Sequence, residues 1–468
     1  MNKSNFITTM FFPLLLIAIY GCSQDESFKI KLIAEDSVYV YEPANNGAGP
    51  MWAHGNTCIV RYKNSVFASG IETLKDVPPL CNTRWMLFER RKNGWKKLLA
   101  DPKERTREPC PLGVTQDGRL LLSVNPSRVP PGVKYGAAEP QILQFDAAHP
   151  DNPYEILKPV WDGNPPFMDH SYRSFAVDGN TGEMILFQNI GYTHAEWSFR
   201  DKNGKWSACG KLVWPPADYK ETLEHDVIRV CYPAVQLKNR KVYFLGISDI
   251  QEPKKNWREY KYNLTRKKWD YDFRRLFYTW SNDITTGRFE KWVEVASREK
   301  TGGRIFPADL WVAPDGSVYV LWYERALDER LKEKFFPDER QSESLNFAII
   351  DDGKVVLKKT IIIGGTDEIV PGWGRFQVTE DYRLFVFYYV HGGDNNIKEN
   401  RMVEISLKGN HTVSKSVKIG AQRPLKQFYT ATVRAGSAPS SVLDVYGKDD
   451  KNEMRYLQIK IIPGKKLK

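Results

Sequence analysis

Short apolar runs, each broken by a turn of Asn, Asp or Gly and followed by a second apolar run, recur along the whole chain. The clearest case runs from Ser174 to Val177, turns through Asp178-Gly179-Asn180-Thr181-Gly182, and resumes from Met184 to Gln188. Two apolar runs joined by such a turn predict a β-hairpin. The same pattern opens near His54, Cys110, His170, Tyr232, Arg304, Arg375 and Phe428. Successive openings lie 53 to 72 residues apart. Each unit then has room for about four strands, which is one propeller blade with loop insertions. Trp85 to Glu89 and Leu276 to Trp280 read as outer strands, and Lys29 to Tyr41 alternates well enough to close the ring. The expected fold is all-β, a seven-bladed β-propeller over 41–468, with 22–40 as tether and closing strand.

The N-terminus follows a different pattern. Lys3 precedes an apolar stretch from Met10 to Tyr20, which is short for a membrane span. Ile19-Tyr20-Gly21-Cys22 resembles a bacterial lipobox, so 1–21 is read as a signal peptide and Cys22 as a lipidated residue. Ser23-Gln24-Asp25-Glu26 resembles the acidic surface-export signal of Bacteroidota lipoproteins. The expectation is an exported lipoprotein of the outer membrane, held at the cell surface by its N-terminal lipid. The net charge of +11 favours acidic partners. For an exported protein the acidic partner is polysaccharide rather than nucleic acid. Five cysteines remain beside Cys22, at irregular spacing, which is no disulfide framework, and no CxxC or HxxxH motif points to a metal cluster. The chain is expected to act as a monomer.

The hairpin also brings chemistry together. Its strands are antiparallel, so the ends away from the turn lie side by side. His170 precedes the first run and His194 follows the second, so both reach one end of the sheet. In a propeller every inner strand begins at the same mouth of the central channel. The residues at or before that position are His54, Cys110, His170, Tyr232, Arg304 and Arg375, most of them ionisable or hydrogen-bonding. They form either an inert polar plug or the lining of a pocket. Trp322-Tyr323-Glu324-Arg325 offers a stacking wall for a sugar ring. A sialidase would need repeated Asp boxes, and only fragments such as Asp201 to Trp206 occur.

In blade order, this sequence resembles the seven-bladed polysaccharide lyases that include ulvan lyases and rhamnose–glucuronate lyases, related to propeller α-L-rhamnosidases. Such lyases carry two histidines on one blade, a tyrosine on the next, and arginines for the uronate carboxylate. The resemblance, over most of 50–400, implies catalytic roles for His170, His194, Tyr232 and Arg304. Substrate contacts are read beside these from position: His54 after Trp52, Trp322 in the stacking wall, Arg375 at a strand opening, and Arg258 as the first arginine after the tyrosine hairpin. The family arginine that follows the tyrosine has no match in Ser248-Asp249-Ile250, and Arg258 comes about ten residues later. No cofactor is implied. A structural metal, zinc or calcium, stays open, with His225 and Cys231 near the tyrosine strand.

The implied chemistry is β-elimination, in which an arginine steadies the carboxylate as negative charge develops. A base removes the C5 proton and an acid protonates the departing O4. A tyrosine between an arginine and a histidine is expected to have a pKa shifted towards the working pH, making Tyr232 the main acid/base. Two other readings stand beside this one. A hydrolase on the same scaffold would need a carboxylate pair, with Glu72, Glu196 and Glu324 as the candidates. A glycan-binding lipoprotein would bind without turnover.

Overall fold

The computed structural model describes residues 27–464 apart from positions 79, 104, 220–225 and 269. Residues 1–21, expected to be a signal peptide, lie outside the described residues, as do Cys22 and His225. Seven four-stranded antiparallel sheets follow one another around a ring. Their innermost strands are Ile59–Tyr62, Leu112–Val114, Ser174–Val177, Val230–Lys238, Gly302–Val312, Ile369–Val378 and Gln427–Thr430, for blades 1 to 7 in order. The ring closes as the alternation at Lys29 to Tyr41 suggested. Phe28–Val40 pairs antiparallel with Glu453–Pro463 and becomes the outermost strand of blade 7.

The apolar runs are continuous rather than alternating because each sheet is buried on both faces. In blade 3, Ile185 and Phe187 pack towards blade 4, while Met184 and Leu186 pack towards blade 2. The same division gives seven apolar clusters, one at each blade-to-blade junction, including the junction of blade 7 with blade 1. Truncating a fully buried aromatic such as Phe187 to alanine costs about 3–5 kcal/mol. The framework at the mouth is therefore rigid.

Two insertions interrupt the pattern. Blade 4 carries helix α1 (Lys255–Thr265) and blade 5 carries helix α2 (Glu329–Phe335). Trp257 of α1 packs on Phe335 and Phe336. Lys261 is buried beneath them and pairs with Glu252 at 2.9 Å and Asp272 at 3.1 Å. A buried ammonium needs such partners to remain charged.

Candidate active site at the channel mouth

The segment from Trp52 to Thr57 enters the mouth and fills its centre. Asn56 reaches blade 3, donating to the Arg173 carbonyl at 2.9 Å and accepting from the Phe175 N–H at 2.9 Å. The Gly55 carbonyl accepts from Arg434 at 2.9 Å, and the His54 carbonyl accepts from Arg375. Thr57 Oγ1 donates to the Thr430 carbonyl at 2.8 Å. A Cβ on Gly55 would lie 2.1 Å from the Pro233 carbonyl oxygen, so only glycine lets the segment pass blade 4 so closely. The segment is thus tied to blades 3, 6 and 7 and carries His54 to the axis of the ring.

On the facing side, the inner strands of blades 4, 5 and 6 are each bulged. The register shifts fall between Cys231 and Ala234, between Pro307 and Asp309, and between Pro371 and Gly374. Proline interrupts the ladder at each shift. A bulge re-aims the side chain beside it. Here Tyr232, Phe306 and Trp373 all come within ring contact of His54, with centroids at 4.2, 5.6 and 5.8 Å. Tyr232 also meets Trp52 at 5.6 Å and Tyr172 at 5.1 Å. His170 joins through Tyr172 at 4.5 Å and Trp52 at 6.0 Å. His54, Tyr172 and Tyr232 all have left-handed backbones, with φ of 32°, 43° and 52°. Such strain in bulky residues persists only where the surroundings over-determine it, as at functional sites.

The electrostatics follow from this packing. Burial pushes the Tyr232 phenol well above the usual tyrosine value; Cys231 and Asp249 add to the rise, and Arg304 opposes it. That corrects the expected shift towards the working pH: the phenol stays protonated, as a donor. Burial lowers His170, with Glu108 opposing. The Glu108 carboxylate lies 4.0 Å from His170 Nδ1 and accepts from both the N–H and the hydroxyl of Ser171, each at 2.9 Å. Burial, then Arg375 and Arg304, takes His54 down to about 3. Near neutrality both imidazoles are therefore uncharged.

A cleft of about 390 Å³ opens beside His54, lined also by Arg304, Tyr323, Arg325, Trp373 and Lys426. Among the described residues its lining includes no aspartate or glutamate. Arg304 lies over the Phe306 ring at 4.4 Å. Glu343 stands behind the cleft and holds Arg325 at 3.1 Å and the Tyr323 hydroxyl.

The sequence matches no protein-family model and no curated protein. The fold is similar to that of the polysaccharide lyase Uly1, at 13% identity and a TM-score of 0.46, covering 92% of this chain and 93% of that one. It is also similar to a Penicillium chrysogenum alpha-L-arabinanase complexed with arabinobiose, at 10% identity, a TM-score of 0.42, and 92% and 98% coverage. The N-terminal domain of Nup159 matches at 9% identity, a TM-score of 0.42, and 93% and 96% coverage. These likenesses concern the fold alone.

The structure gathers His54, His170, Tyr232 and Arg304 around the mouth. His194 lies at the same end of blade 3 as His170, but on the third strand, opposite Ile190. That is two strand spacings, about 10 Å, from the inner strand. Its ring nitrogens already meet the Thr193 hydroxyl at 2.7 Å and Glu196 at 3.1 Å. Three expected substrate contacts are not brought to the cleft. Arg375 sits beneath His54, 2% exposed, and burial takes its guanidinium down to about 10. Trp322 is 3% exposed because the period of two turns it inward, while Tyr323 and Arg325 face the cleft. Arg258 donates to the carbonyls of Glu252 and Pro253 at the start of its own helix.

Sequence reasoning missed Tyr172, Arg229 and Trp373. Arg229 pairs with Asp249 at 2.6 Å and lies 3.9 Å over the Tyr192 ring. The only signal for it was Asp249 itself, a lone acid at the end of an apolar strand, which needs a cation once buried. Among the described residues no group of three or more His, Cys, Asp or Glu is disposed to hold a metal, and Cys231 donates to Asp249 at 3.0 Å.

Proposed function

We propose that this protein is a lyase that cleaves an acidic, uronate-containing polysaccharide by β-elimination, with ulvan as the leading substrate. The observation that carries this reading is Arg304, a cation of the cleft lining with no ion pair among the described residues, beside His54, whose ring meets the protonated phenol of Tyr232 at 4.2 Å; Arg325 and Lys426 also line the cleft and are paired with Glu343 and Asp450. A cationic lining suits a carboxylated sugar. A glycosidase of the usual kind would need two carboxyl groups flanking the bond, which this lining does not supply.

In this reading Arg304 pairs with the uronate carboxylate and holds the charge that grows as the C5 proton leaves. His170 takes that proton on the nitrogen turned away from Glu108. The C4–O4 bond breaks, a C4–C5 double bond forms, and the Tyr232 hydroxyl gives its proton to O4. Exchange with water then returns the proton from the imidazolium and restores the phenol. His194 supports blade 3 behind His170. On the same proposal the protein acts at the outer membrane surface, tethered through Cys22.

The test is incubation of the purified protein with ulvan and other uronate polymers while ultraviolet absorbance is followed. The conjugated C4–C5 double bond should make absorbance rise with time. A folded protein that raises no absorbance with any uronate polymer overturns the lyase reading.

A further inference from the structure

A second cleft, of about 440 Å³, adjoins the cationic one and shares His54 and Gln427 with it. Both volumes fall in the range of about 300–1,000 Å³ usual for small-molecule sites. The second cleft lies between the connection that follows the closing strand and the ends of blades 1 and 7. Tyr41, Asn45 and Trp52 line one side, and Thr73, Lys448 and Asn452 the other. Its chemistry differs from that of its neighbour. It carries one acid, Glu42, and one lysine, Lys448, whose ammonium already donates to the Tyr41 hydroxyl at 3.1 Å. Asn45 and Asn452 make no side-chain hydrogen bond among the described residues, so their amides are free to meet hydroxyl groups. Trp52 and Tyr41 add aromatic surface to the lining, which suits the apolar side of a sugar. Trp52 also touches Tyr232 and His170, so one ring separates this cleft from the reacting groups.

We infer that the second cleft holds the neutral, unsulfated sugar linked to O4 of the uronate, and that the polymer lies across both clefts and is cut internally. This rests on the lyase reading for the position of the bond. The uronate occupies the arginine side, the scissile C4–O4 bond passes over His54 and Tyr232, and the leaving sugar rests against Trp52. A lining with balanced charge gives no preference for sulfate, whereas a sulfate-binding cleft would carry unopposed arginine or lysine.

The experiment uses the full protein with tetrasaccharides prepared from native and from desulfated ulvan. Binding is measured by calorimetry and turnover by ultraviolet absorbance. Wild type should bind the desulfated tetrasaccharide at least as tightly as the native one. Glu42→Lys changes the lining charge without touching the core, since Glu42 is exposed, and should create a preference for the native, sulfated tetrasaccharide. Gly49→Trp should weaken tetrasaccharide binding at least tenfold with an unchanged melting temperature. A Cβ at Gly49 meets nothing within 4 Å, so the indole has room to fill the cleft. Preference for the sulfated ligand, or full affinity in Gly49→Trp, overturns the inference. Tetrasaccharide binding that is lost in Gly49→Trp, with no turnover by wild type, would keep the cleft and remove the lyase reading.

Discussion

The two halves of the ring build the mouth in different ways. In blades 1, 2 and 3 the inner strands are short, at four, three and four residues. They stop below the mouth, and the residues that reach it, His54, His170 and Tyr172, stand on the loops before them. In blades 4, 5 and 6 the inner strands have nine, eleven and ten residues. They rise into the mouth and present Tyr232, Phe306 and Trp373 from bulges. The loop half supplies the uncharged imidazoles. The strand half supplies the phenol and the arginines. A site assembled this way has a rigid proton donor and a base whose position depends on loop anchoring.

Removing one partner from each half tests that division most severely. Tyr232→Phe should lower turnover by about two to four orders of magnitude, the range for a positioned acid or base, with the melting temperature unchanged. His170→Ala should fall in the same range. Equal turnover in a well-folded Tyr232→Phe would move the proton donor elsewhere. Gly55→Ala tests the loop anchoring itself. Its Cβ meets the Pro233 backbone, so overpacking should cost about 1–3 kcal/mol of stability and displace His54. Denaturant unfolding and turnover on one preparation read both effects, and a stable, fully active Gly55→Ala would show that the plug does not position the site.

Arg304→Ala should lower turnover by about two orders of magnitude. Arg304→Lys should recover only part of it, because an ammonium lacks the fork that grips both carboxylate oxygens. The pH profile gives a gentler contrast. The base must be unprotonated, and burial lowers His170, so activity should be lost only as pH falls below the ordinary imidazole range near 6.5. The acid must be protonated, and burial raises Tyr232, so activity should persist into the alkaline range. A decline already at pH 8 would contradict that assignment. The smallest effect is expected at His194, whose nitrogens are engaged outside the mouth; His194→Ala should cost tenfold or less in turnover.

The same division explains what was legible in the sequence. The seven hairpins were legible because every sheet is buried on both faces and leaves an unbroken apolar signature. His54, His170, Tyr232 and Arg304 were legible because each stands close to the opening of a hairpin. Arg375 was misplaced because counting from the hairpin treats all inner strands as equal. It is the seventh residue of its strand, Ile369–Val378, and so lies well below the mouth. The mouth position of that blade is Trp373, two residues earlier, put there by the bulge at Pro371. Tyr172 was illegible because its placement depends on Tyr232, far along the chain, and Arg229 was signalled only by its buried partner Asp249.

The account's central claim is elimination rather than hydrolysis at this mouth. Its most direct measurement is digestion of ulvan in water labelled with heavy oxygen, followed by mass spectrometry of the fragments. Elimination adds no water, so every cut should leave one unsaturated uronate at the new non-reducing end, and the two new ends together should weigh no more than the uncut chain apart from slow exchange of the anomeric oxygen. Saturated new non-reducing ends, with the mass of one labelled water added per bond cut, would contradict it.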